Sequence, residues 1–336
     1  MATKALDRAA KKTSDETLRL MRRRKFLDVA LDYGLYGTLL ALVIFFSLTS
    51  PYFLTPRNLT NIAVAVSVTG ILAAGFTVAL IAGQVDISIG ATLGLTAVVM
   101  GVLTERIGLP WLVAALLALL VGLVVGLINS FLVVGFAINS LIATLAISVV
   151  LRGGALILAG GQVIPLTDTG LQEAVNSRPL GIPVPVILLL GVFAIGWLVL
   201  THAKVGWHVY AVGANPNASL RSGISTKKIF FGVFVTSGIL ASVGGLISAG
   251  QAGGGGPTFG DGIEFQVLAA VLLAGFGLQG GTGRFERALI GVVLVGVLLN
   301  GLILLGVDAY YQYLARGVVF VLAVVLASLA TRKASR

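Results

Sequence analysis

The sequence predicts an all-α fold, a polytopic transmembrane helical bundle of about ten spans with both termini cytoplasmic. Three observations lead there: a scarcity of charge, a succession of long apolar runs, and a one-sided distribution of lysine and arginine. A soluble domain needs roughly a quarter of its residues charged to cover its surface. Here 11% are charged and 57% are hydrophobic, with a mean hydropathy of +1.03. The apolar majority must therefore face lipid or other spans. The 44 glycines follow no collagen-like period and suit close helix approach inside a bilayer. Cysteine is absent, which excludes disulfides, thiolate metal sites and cysteine nucleophiles.

A bilayer core of roughly 30 Å is crossed by about 20 apolar helical residues. On that measure the candidate spans are about 31–50, 60–82, 87–104, 110–135, 139–160, 183–201, 228–250, 264–281, 287–306 and 310–330. The second and third are joined only by GQVD, and the eighth is interrupted by Gly275, Gly277, Gly280 and Gly281, so either can be broken or re-entrant. The chain then divides into a basic N-terminal segment (1–30), a transmembrane domain (31–330) containing a loop at 202–228, and a short tail (331–336).

Ten spans put both ends on one side. Assigning that side to the cytoplasm leaves eighteen Lys/Arg inside and three (Arg57, Arg106, Arg178) outside, as the positive-inside rule requires. Half of the inside set precedes the first span, from Lys4 to Lys25. It reads as an anchor on anionic lipid headgroups rather than a nucleic-acid contact. No small-x-small cleavage site follows it, so a signal peptide is not expected. Trp111, Tyr52, Tyr310, Tyr311 and Tyr313 fall at predicted outer interfaces, where amphipathic rings anchor.

Few residues could carry chemistry. Gly253–Gly256 lacks the lysine and hydroxyl of a phosphate-binding loop and reads as a flexible external turn. The chain is therefore not expected to hydrolyse ATP alone, and no cofactor is expected in it. His202 and His208 lie six apart, on different helix faces, and form no metal site. The acids near the membrane (Asp32, Asp86, Glu264, Asp308) all sit at span ends, which disfavours an ion-coupled carrier needing acids at the midplane. A membrane-embedded enzyme would need a nucleophile or metal set that is missing. Asp86, in VDISIG with Ser88 and Gly90, reads as a helix N-cap. Asn61, Thr77, Asn129, Thr144 and Ser237 are among the polar residues inside spans, expected to bond between helices or to i−4 carbonyls. The pairs Gly90/Gly94, Gly122/Gly126 and Gly277/Gly281 favour tight helix packing, within the chain or in a homodimer.

One long polar island breaks the apolar pattern, HAKVGWHVYAVGANPNASLRSGISTKK from His202 to Lys228. Together with VDISIG upstream and PTFGDGIEFQVLAAVLLAG downstream, it resembles the permease subunits of bacterial ATP-binding cassette sugar importers of the ribose/xylose/arabinose/galactoside type. The resemblance covers nearly the whole span region. It implies import of a monosaccharide or polyol across the inner membrane by alternating access. It also implies three partners: a second permease copy in a homodimer, a cytoplasmic ATPase that binds ATP-Mg, and a periplasmic sugar-binding protein. It places a short coupling helix within Gly206–Gly223, with Tyr210, Gly213, Asn215, Pro216, Ala218, Arg221, Gly223 and Ile224 in the pattern. Asn215-Pro216 can start such a helix, as N-cap and first residue, and Gly223 can end it. Asp86, Ser88, Gly90 and Glu264 are the structural or gate candidates. Gly206-Trp207 stands where the family often has Gly-Arg, and Gly83-Gln84 and Gly275-Phe276-Gly277-Leu278 also depart from its pattern.

Overall fold

The structure, a computed structural model, describes residues 33–334. The basic N-terminal cluster and Asp32 lie outside the described residues. Those described are mostly helical. The helices are α1 (Tyr33–Thr49), α2 (Pro56–Ile81), α3 (Ile89–Gly101), α4 (Trp111–Ser130), α5 (Ser140–Ala159), α6 (Gly170–Asn176), α7 (Val184–His202), α8 (Lys204–Ala214), α9 (Pro216–Arg221), α10 (Thr226–Ala252), α11 (Ile263–Leu273), α12 (Phe285–Leu304) and α13 (Ala309–Ala334). Short π-helical turns, Val102–Arg106 and Phe131–Gly135, extend α3 and α4. A two-residue antiparallel ribbon pairs β1 (Ile164–Pro165) with β2 (Gly254–Gly255).

Local chemistry sets the helix starts. Thr55, Asn139 and Ser225 each accept a backbone N–H at the head of α2, α5 and α10, and Pro56 occupies the first turn of α2. Among the described residues, seven helices are long and apolar enough to cross a membrane, and three apolar ones are shorter: Tyr33–Thr49, Ile263–Leu273 and Ala309–Val325. Each of the ten coincides with one predicted apolar run.

The centre of the bundle is α2, whose most apolar stretch is largely buried, with α10, α12, α7 and α11 around it, while α3 and α4 pack on α10. Two helices meet through glycine. A Cβ on Gly126 would stand 2.6 Å from the Phe234 carbonyl oxygen, and Gly122 and Gly238 face each other with no room for a side chain on either. Gly90 and Gly94 admit the 257–260 backbone in the same way. These two small-residue pairs are thus consumed inside one chain and are not free to form a homodimer. The third, Gly277/Gly281, lies beyond the end of α11 and is not helical.

The eighth run corrects the sequence reading most. Its helix stops at Leu273, and 11 residues of helix reach only about 16 Å. The deficit is met by the segment before it. Gly255 lies against Ala97, Pro257 against Gly94 and Gly260 against Gly90, while Ile164 lies against Gly101. The chain therefore descends beside α3 from Ala97 toward Gly90, a fall of about 10 Å, before α11 begins. Gly254–Pro257 are buried, so this is not a flexible external turn. It is non-helical backbone packed inside protein, the covering that such backbone needs within a bilayer. Trp111 is also drawn inward, its indole against Gly170 and its backbone N–H donating to Asp168 at 3.2 Å.

Candidate functional site

Two structured loops end at the face that carries the polar island. The island is two helices, α8 and α9, broken at Asn215, whose backbone is extended (φ −158°). The Asn215 side chain accepts the Ala218 N–H at 2.9 Å, Pro216 is the first residue of α9, and Gly223 follows the helix with φ +83°. The sequence reading anticipates the start and stop of α9 but not α8. On α9, Ala218, Leu220 and Arg221 are exposed while Ser219 is buried. Val205 and Trp207 on α8 are also exposed, and Ile224 is half-buried.

The other side of α8 rests on the bundle. Gly213 is buried, with Gly281 N 2.6 Å from where its Cβ would stand and the Ile81 backbone pressed against it. Gly281 N–H donates to the Ile81 carbonyl at 2.8 Å. The Tyr210 hydroxyl donates to the Gly283 carbonyl at 2.9 Å. Burial, and then the nearby negative charge of Glu286, push the Tyr210 phenol above its ordinary value, so it keeps the proton that it donates. α8 thus seats on the end of α2 and on the 274–284 linker between α11 and α12.

From that seat the α2–α3 linker runs inward to Asp86, which is 1% exposed. Asp86 Oδ1 accepts the Ser88 N–H at 3.0 Å and the Ser88 hydroxyl at 2.6 Å. Asn129 Nδ2 donates to Ser88 Oγ at 2.8 Å. The structure gives the N-cap position of α3 to Ser88, so the expected cap role of Asp86 is corrected. Asp86 closes an Asx-type turn two residues earlier and ties α3 to α4. Ser140 and Thr144 of α5 bond the Val85 and Ile87 N–H groups at 3.1 and 3.0 Å, so the linker is stapled from three sides. Thr77 and Asn129 leave an oxygen each without a partner among the described residues, and the Ser237 hydroxyl faces Asp86. Other in-span hydroxyls bond as expected, Thr96 to Ser242 at 2.8 Å and Ser67 to the Ala63 carbonyl at 2.6 Å.

Glu264, 3% exposed, sits at the start of α11 against Gly90 and accepts from Arg152 of α5 at 2.8 Å. Arg152 also bonds Asp261. Both gate candidates stand at helix ends, as expected, Asp86 before α3 and Glu264 in the first turn of α11, and both are buried inside the bundle. The structure brings Asp86 and Ser88 together and sets Gly90 beside Glu264, on opposite sides of the start of α3. Arg152 and Asn129 join these candidates in the structure. Arg152 was visible as a charge inside an apolar run. Two spaces flank this core: an open recess of about 450 Å³ beside Gly83, Gln84 and Ser140, and a cavity of about 260 Å³ at the far end, lined in part by Asn61, Asn176 and Arg178.

A family model described as the branched-chain amino acid transport system / permease component matches residues 58–324, from the first turn of α2 into α13. The chain belongs to this permease family. The permease is 37% identical over 295 residues to the ribose import permease protein RbsC of Escherichia coli (strain K12), covering 86% of this chain and 91% of that one. It is 34% identical over 307 residues to the D-allose transport system permease protein AlsC of the same organism, covering 90% and 94%. The L-arabinose ABC transporter permease protein AraH of Azospirillum brasilense is 33% identical over 292 residues, covering 87% and 86%.

Proposed function

We propose that this permease is the membrane subunit of an ATP-binding cassette importer that carries a monosaccharide or polyol across the bacterial inner membrane by alternating access. The observation that carries the mechanism is the double seat of α8. One side of the α8–α9 unit is offered to water through Trp207, Leu220 and Arg221. The other side is locked, backbone to backbone, onto the α2 end and the 274–284 linker. A displacement applied at α9 by a cytoplasmic ATPase would pass through Gly213 to both linkers at once. One leads to Asp86, the other to α11 and Glu264. Packed interfaces of this kind switch between discrete arrangements rather than deform gradually.

In this reading all ten apolar helices cross or enter the bilayer, both termini are cytoplasmic, and the ribbon and α6 face the periplasm. ATP-Mg binds the partner ATPase, a periplasmic sugar-binding protein delivers the solute, and a second permease copy completes the pathway. The chain is not itself an enzyme. Sugar as cargo follows from relatives named for ribose, allose and arabinose and from the hydroxyl and amide groups inside the spans. Replacing Asn215–Gly223 by a Gly/Ser linker tests the coupling: uptake should be abolished while the chain still inserts. Undiminished uptake would refute the role of α9.

A further inference from the structure

Resting on the import reading, we propose that Arg152, clamped between Asp261 and Glu264, is the polar contact that holds a neutral, hydroxyl-rich solute at membrane depth. Arg152 lies seven residues before the end of α5, about 10 Å along the helix. A guanidinium at that depth cannot face lipid without a large cost, and such residues face a water-filled cavity, a partner helix or a functional pathway. The cluster is not sealed. The Arg152 side chain is 28% exposed and that of Asp261 48%, while that of Glu264 is 4% exposed and fixes the guanidinium from beneath. Gly153 and Gly154, next in the chain, have no atom beyond their own turn of helix within 4 Å of where a Cβ would stand. A charged group thus sits at the edge of open space, in a helix whose other exposed residues are mainly apolar, such as Leu145, Val149 and Leu156.

The donor and acceptor inventory fits a sugar. Arginine carries more N–H donors than the bonds to Asp261 and Glu264 use, and the half-exposed Asp261 carboxylate keeps free lone pairs. A hydroxyl both donates and accepts, so neighbouring hydroxyls of one ring can engage the guanidinium and the carboxylate together. A neutral solute then replaces water at the cluster without adding charge to the membrane interior. A purely structural ion pair would not need its carboxylate exposed or its flank cleared of side chains.

The absence of cysteine makes the test direct. Gly153→Cys is made in the full chain, assembled with its ATPase and sugar-binding protein, and treated with a charged, membrane-impermeant methanethiosulfonate. Labelling should occur, and should slow roughly tenfold when the complex is given whichever of D-ribose, D-allose or L-arabinose it imports. In parallel, Arg152→Gln should raise the uptake KM roughly tenfold with Vmax little changed, and Arg152→Lys should restore part of the loss. A complex that imports by ATP yet leaves Gly153→Cys unlabelled overturns the contact and leaves the import reading intact. So does labelling indifferent to solute, a disulfide forming between two copies at that position, or an Arg152→Gln defect confined to Vmax. Uptake by the lone chain would instead overturn the import reading.

Discussion

Gly213 in α8 and Ile81 at the close of α2 are packed backbone against backbone, and Gly281 donates to the same Ile81 carbonyl at 2.8 Å. Three segments far apart in sequence therefore share one point. Any side chain at position 213 must move one of them. Overpacking of this kind costs about 1–3 kcal/mol. Gly213→Val should leave the chain in the membrane but abolish ATP-driven uptake, measured against membrane abundance by immunoblot. Uptake at the parental rate would show that the seat does not transmit force.

The Asn215 cap on α9 separates geometry from charge. Asn215→Ala removes the acceptor for Ala218 N–H, a loss of about 1 kcal/mol, and should lower uptake severalfold. Asn215→Asp keeps an acceptor in place and should retain most activity. Equal activity in the two variants would mean that α9 order is not required.

The bond from Tyr210 to Gly283 couples α8 to the second linker. Tyr210→Phe removes the donor alone, a change of about 1 kcal/mol. The expected result is uptake lowered by no more than about tenfold, with the chain still binding its ATPase, measured by co-purification. Loss of binding would place Tyr210 in the docking surface instead.

Asp86→Ala strands the Ser88 N–H and hydroxyl in a buried site, at about 1–3 kcal/mol. It should lower the thermal midpoint of the detergent-purified chain. Asp86→Asn, which keeps an acceptor oxygen for Ser88, should be milder. A larger loss for Asn than for Ala would show that the negative charge itself is used.

Gly122→Leu drives a side chain into the Gly238 backbone and should cost more than the usual overpacking, about 3 kcal/mol or above. The chain should fail to accumulate in the membrane. Normal abundance would contradict the α4–α10 contact.

Seven of the apolar helices fall where hydropathy places them and have the length that a bilayer demands. The start and stop of α9 are equally legible, since Asn215, Pro216 and Gly223 act within a few residues of themselves. What hydropathy hides is the packing of 253–262 against α3. A window average counts apolar residues and is blind to a segment of ribbon and turns, and glycine reads as looseness when here it marks contact with α3. The Arg152 cluster was hidden for another reason: its partners stand 109 and 112 positions downstream, a distance no local pattern bridges. Asp86 sits beside a span end in sequence, but the linker folds back into the bundle and buries it.

Reconstitution into sealed proteoliposomes is the most direct test, with radiolabelled D-ribose, D-allose and L-arabinose as probes. The permease alone should accumulate none of them under a proton or sodium gradient, and adding the ATPase, the sugar-binding protein and ATP should start uptake of at least one. Gradient-driven accumulation by the permease alone, without nucleotide, would contradict the account.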